Sequence, residues 1–139
     1  SPFNVPKASC MTAAETVASD LAIMRRADDY RSCFKEYLGT SSNMTESFID
    51  ENFSLFSQVE LDCMLSAIPF SEAFLEKRFT QLNHDGIARY QKFSEAFFMK
   101  HYADLDAQTV LNKGVNPWRD KSHRSNKLDV FLRLKGIHQ

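Results

Sequence analysis

The chain has 139 residues, 17 cationic and 18 anionic side chains, a formal net charge of −1, and 43% hydrophobic and 25% charged residues. That is an ordinary globular composition, long enough to bury about two-thirds of the unfolded surface, and no run of about 20 apolar residues is present to cross a membrane. Only 4 Gly and 4 Pro occur, and 12 Phe stand against 1 Trp and 4 Tyr. Few breakers, helical apolar spacing and little Val/Thr alternation argue against a sheet. The expected fold is all-α, a bundle of about six or seven helices, with one helical domain over 12–139.

Residues 1–11 read as an extended arm held by Pro2 and Pro6, which Phe3 and Val5 can pin to the body. The start SPFNVPKASC lacks the basic-then-apolar form of a signal peptide. A cytoplasmic protein is expected, with a secreted one as the alternative. A Ser1-Pro2 start without Met reads as a trimmed or processed chain. Cys10, Cys33 and Cys63 are an odd number at no metal-like spacing. They read as buried free thiols in a reducing compartment, or, in a secreted chain, as a Cys33–Cys63 disulfide.

Thr12 and Glu15 form a capping box that opens a predicted helix to about Leu38, stopped by Gly39. Its apolar face is Val17, Leu21, Met24, Tyr30, Phe34, Tyr37 and Leu38, and Arg25, Arg26, Asp28, Asp29 and Arg31 read as a solvated mid-helix face. Asn43 with Glu46 signals a second helix carrying Phe48, Ile49, Phe53 and Phe56 inward. Ser57 with Glu60 caps a third, ended by Pro69. Asn43-Met44-Thr45 fits a glycosylation sequon, relevant only to a secreted chain.

Ser71 caps a fourth helix through Leu82, and Asn83-His84-Asp85-Gly86 reads as a tight turn with Gly86 at positive φ. A fifth helix then carries Ile87, Tyr90, Phe93, Phe97 and His101 or Tyr102. Asp104 or Asp106 caps a short helix through Leu111, closed by Gly114, and Asn126 caps the last helix, with Leu128, Phe131, Leu132 and Leu134, ended by Gly136.

The word Asn-x-Asp-Gly at Asn83, Asp85 and Gly86, with Phe93 seven residues beyond the Gly, resembles an EF-hand loop running from Gln81 to Lys92. A calcium loop wants an acid first and a bidentate Glu last, where this chain has Gln81 and Lys92. The resemblance therefore implies a metal-free helix-loop-helix. Glu51 to Ile68 stands where a partner hand with a collapsed loop would lie.

His84, His101, His123 and His138 show no metal spacing, and no nucleophile elbow, phosphate loop or dinucleotide fingerprint is present. The carboxylate pairs Asp28–Asp29, Asp50–Glu51 and Asp104/Asp106 fit capping or solvated faces. No enzyme, metal or cofactor is expected.

The leading expectation is a calcium-independent protein-interaction module. A Phe/Met-rich groove formed by Phe74, Phe79, Tyr90, Phe93, Phe97 and Phe98 would hold a partner's amphipathic helix or a sister subunit of a homodimer. The alternative is an anion or nucleic-acid binder using the basic segment 113–139, where seven cations meet only Asp120 and Asp129. Trp118, Arg119, Lys121, Arg124 and Lys127 would carry it.

Overall fold

The computed structural model describes residues 11–138. The arm with Phe3, Val5 and Cys10 lies outside them. Among the described residues all regular structure is helical, as the breaker count and periodicity predict. The chain divides into two compact units after Glu60, inside the fourth helix.

The first unit contains α1 (Ala13–Met24), α2 (Tyr30–Thr40) and α3 (Glu46–Glu51). The Thr12–Glu15 box forms: the Thr12 hydroxyl accepts the Glu15 N–H at 3.1 Å, and the Glu15 carboxylate accepts the Thr12 N–H at 3.1 Å. The single helix predicted over 12–38 is two. Arg25 and Arg26 follow the C-terminus of α1, and Asp28 and Asp29 precede the N-terminus of α2. Each sign sits at the helix end whose dipole favours it. Gly39 is not a stop but lies inside α2, which ends at Thr40. Val17, Leu21, Phe34 and Ile49 are buried, and the Tyr37 hydroxyl donates to Asp20 Oδ2 at 2.7 Å. α3 starts at Thr45 rather than Asn43, because the Thr45 hydroxyl accepts the Phe48 N–H at 3.2 Å.

α4 (Gln58–Ala67) opens on the predicted Ser57–Glu60 box. The second unit continues with α5 (Glu72–Lys77), α6 (His84–Tyr90), α7 (Glu95–His101), α8 (Ala107–Lys113) and α9 (Asn126–Leu134). The Asn83–Gly86 word is not a turn between helices. Asn83 is the N-cap of α6, its side-chain oxygen accepting the N–H groups of Asp85 (2.9 Å) and Gly86 (3.3 Å). Gly86 lies in the first turn of α6, and the only positive φ among the described residues is at Gly136. The helix predicted through Tyr102 is likewise interrupted at 91–94, where Ser94 starts α7 by accepting the Phe97 N–H.

These corrections reveal a tandem order. Thr45-Glu-Ser-Phe-Ile, Ser71-Glu-Ala-Phe-Leu and Ser94-Glu-Ala-Phe-Phe each cap and open a short helix, α3, α5 and α7. Eleven residues after each cap comes a buried Phe56, Leu82 or Leu105, and then a second cap, Ser57, Asn83 or Asp106, opens α4, α6 or α8. Segments 45–61, 71–87 and 94–110 therefore align without a gap, and Ser125 begins a further first helix, α9.

Within the second unit, like lies on like. α6 lies against α8 and α7 against α9. The Phe79 ring meets Phe97 edge-on at 5.9 Å, and Tyr102 meets Phe131 at 5.2 Å. The carboxylate of Glu72 accepts the N–H of Ser94 at 2.7 Å, and that of Glu95 accepts the N–H of Ser125 at 3.0 Å. Such nearest-neighbour stacking of similar units is the logic of helical-repeat proteins.

Candidate functional site

The aromatic residues between Phe70 and Tyr102 lie on α5, α6 and α7 and on the turns that join them. Phe79 is sandwiched between the imidazoles of His84 (4.3 Å) and His101 (4.0 Å). Phe93 packs on Phe97 at 5.0 Å and on Trp118 at 5.9 Å, and Phe98 lies 5.4 Å from Trp118. Phe74, Phe79, Phe93, Phe97 and Phe98 are all buried, so these five rings are core. Of the six aromatic residues expected to line a groove, Tyr90 alone is open to solvent, at 51%. It borders a depression of about 160 Å³ whose other wall is the C-terminal turn of α4 with Pro69.

Two buried amides hold the backbone of this region. Gln91 accepts the Phe70 N–H at 2.9 Å and donates to the carbonyls of Leu65 (2.7 Å) and Ile68 (2.8 Å). Asn116 accepts the Phe93 N–H at 2.8 Å. Phe70 and Phe93 each precede a cap serine, so equivalent bonds close equivalent positions. Hydrophobic periodicity gives no signal for either amide, since each bonds an N–H more than 20 residues back along the chain.

The surface of the same region is charged. Glu76 meets Lys100 and His101 Nε2, the latter at 2.5 Å, and these partners, Lys100 first, hold its carboxyl below the usual carboxylate range. In the 81–92 window, Asp85 pairs with Arg89 at 2.7 Å and the Gln81 side chain accepts from Arg78 at 3.2 Å. Residues 84–90 of that window are α6. Among the described residues no group of three or more His, Cys, Asp or Glu is placed to hold a metal.

Of the basic segment, Trp118 and Arg124 are turned inward, while Arg119 and the lysines stay exposed. Trp118 is buried and donates its indole N–H to the Phe93 carbonyl at 3.0 Å, so no face is free for a base to stack on. Arg119 donates to the carbonyls of Gly114 and Asn112. The buried Arg124 donates to the Trp118 carbonyl at 3.0 Å and the Arg119 carbonyl at 2.5 Å. Lys121 and Lys127 are exposed.

In the first unit, Arg25 grips Glu60 with Nε at 2.8 Å and Nη2 at 2.7 Å. The Tyr30 hydroxyl and the Ser57 N–H converge on the same carboxylate. Burial pushes Glu60 up, but these donors, Arg25 foremost, hold it below its ordinary value. The cluster fixes the reversal between α1 and α2 and reads as structural. Cys33 and Cys63 are both free thiols. No described helix is long and apolar enough to cross a membrane. No protein family, curated protein or solved structure matches the chain.

Proposed function

We propose that the chain is a non-catalytic, calcium-independent helical-repeat module that binds a protein partner. The observation that supports this reading is the recurrence of the capped Ser/Thr-Glu-x-Phe helix pair, with α6 on α8 and α7 on α9 in the second unit. Stacked repeats bury their aromatic faces on each other and leave a continuous row of helix flanks outward, and such rows serve as binding surfaces. The aromatic side chains then act as the frame, and the partner meets the exposed flanks of α5 to α9.

The test is reconstitution from purified components, followed by hydrogen-exchange mapping. A stoichiometric complex with protection on the flanks of α5 to α9 is expected. A complex protecting only α1 and α2, or purified chain that binds nucleic acid with steep salt dependence and no protein, would contradict the reading.

A further inference from the structure

The stacking positions of the array can be read from its own helices. Counting from the cap serine, α5 and the turn after it present positions 1, 5 and 8 to the following segment: Glu72 to the Ser94 N–H, Glu76 to Lys100 and His101, Phe79 to Phe97. α7 and its C-cap do the same with positions 1 and 8, Glu95 to Ser125 and Tyr102 to Phe131. In α9 those positions are Asn126, Val130 and Arg133, and Leu134 lies one helical turn beyond Val130. Val130 is 45% exposed and Leu134 is 80% exposed, while Leu128 and Leu132 on the opposite side of the helix are fully buried. Of the positions that meet the following segment after Ser71 and Ser94, Val130 is the apolar one in α9, and the exposed Leu134 extends it by one helical turn.

Its borders are cationic. Lys127 and Arg133 flank the apolar pair and are exposed. Asp129, the one acid of α9, is turned to the buried Arg124 at 3.5 Å. α9 laid on a second copy of itself would oppose cation to cation, which disfavours self-pairing. An apolar stripe between cations fits a helix with the reverse pattern.

We infer that the outward face of α9, centred on Val130 and Leu134, docks an acidic amphipathic helix of a partner protein. The inference rests on the interaction-module reading and names its surface.

The test uses the full chain and a labelled synthetic helix of about 20 residues, long enough to hold helical structure, with Leu on one face and Glu on its borders. A second peptide replaces every Glu by Lys. Fluorescence anisotropy is expected to show saturable binding of the acidic peptide only, weakened at least tenfold by Leu134→Asp and by Lys127→Glu with Arg133→Glu, and weakened again by salt. These side chains are exposed, so the variants keep the parent melting temperature, which is measured alongside. Four results would overturn the inference. The acidic peptide fails to bind at about 1 mM, a limit of about −4 kcal/mol. Leu134→Asp or the Lys peptide binds like the parent pair. The chain self-associates through a contact that Leu134→Asp dissolves. The chain sediments with phosphatidylserine vesicles through Leu134 and ignores the peptide. In each case a reconstituted complex protected on α5 to α8 would leave the module reading standing, so the two failures are separable.

Discussion

The carboxylate of Glu72 reaches one unit along the chain and accepts the backbone N–H of Ser94 at 2.7 Å. Glu95 repeats the bond to Ser125, whose hydroxyl it also meets. Each bond satisfies an N–H just outside a helix start, a group that no intrahelical carbonyl reaches. In α9 the equivalent residue is Asn126, which carries no charge. Glu72→Ala and Glu95→Ala should each lower stability by about 1 kcal/mol, less than a buried charge-assisted bond because both sites are wet. Urea unfolding of each single variant checks this.

Gln91 supports a sharper expectation. Its side chain satisfies one N–H and two carbonyls, all at the junction that precedes Ser71. Gln91→Ala leaves those groups unpaired in the interior and should cost about 3 kcal/mol or more, against under 1 kcal/mol for the exposed neighbour variant Lys92→Ala. The midpoint of urea unfolding distinguishes the two.

Gly114 is required by space, not by its φ. A Cβ there would lie 2.5 Å from the Val110 carbonyl oxygen and 2.9 Å from that of Ala88, both backbone atoms. Gly114→Ala must move α8 or α6 and should destabilise by about 2 kcal/mol. At Gly86 the nearest obstacle is the end of the Leu65 side chain at 3.0 Å, so Gly86→Ala should be milder. Thermal melts of the two variants give the order.

Glu60 sets a pH dependence in the first unit. Its carboxyl is held below the ordinary value of 4.5 in the folded state. Its contribution is therefore complete above about pH 4.5 and falls as the pH drops through the lower folded value. Glu60→Gln should flatten that acid limb of the stability curve. Glu60→Ala should cost about 2 kcal/mol at pH 7, less than a fully buried pair because the Arg25 side chain is partly exposed. Melting temperature against pH for parent and both variants tests the sign.

Much of the fold was legible because capping is local. Thr12 with Glu15, Ser57 with Glu60, and Ser71 satisfy donors three residues away, and three-residue spacing is visible in a sequence. The breaks at 25–29 and 91–94 were not legible by periodicity. The first depends on Arg25 meeting Glu60, 35 residues away, and the second on Gln91 meeting Phe70 across 21 residues. Gly86 misled for a related reason: a glycine after Asn-x-Asp fits a turn, and the Asn83 cap with Leu65 overhead makes it helix. Apolar spacing located the Phe side chains but could not separate core from groove, since both need the same face. Apolar spacing groups Leu134 with Leu128 and Leu132, yet helical geometry puts it on the other side, where it is exposed.

Gln91 and Asn116 latch the Phe70 and Phe93 amides at equivalent places in the array, and native-state hydrogen exchange on the full chain reads both bonds. Phe70 and Phe93 lie in connections between helices, where amides ordinarily exchange fast. Both amides are expected to exchange as slowly as those of Leu75 and Phe98 in the helices that follow, and Gln91→Ala is expected to release Phe70 while leaving Phe93 protected. Fast exchange at Phe70 and Phe93 in the parent chain would contradict the latch, and with it the repeat as a unit of stability.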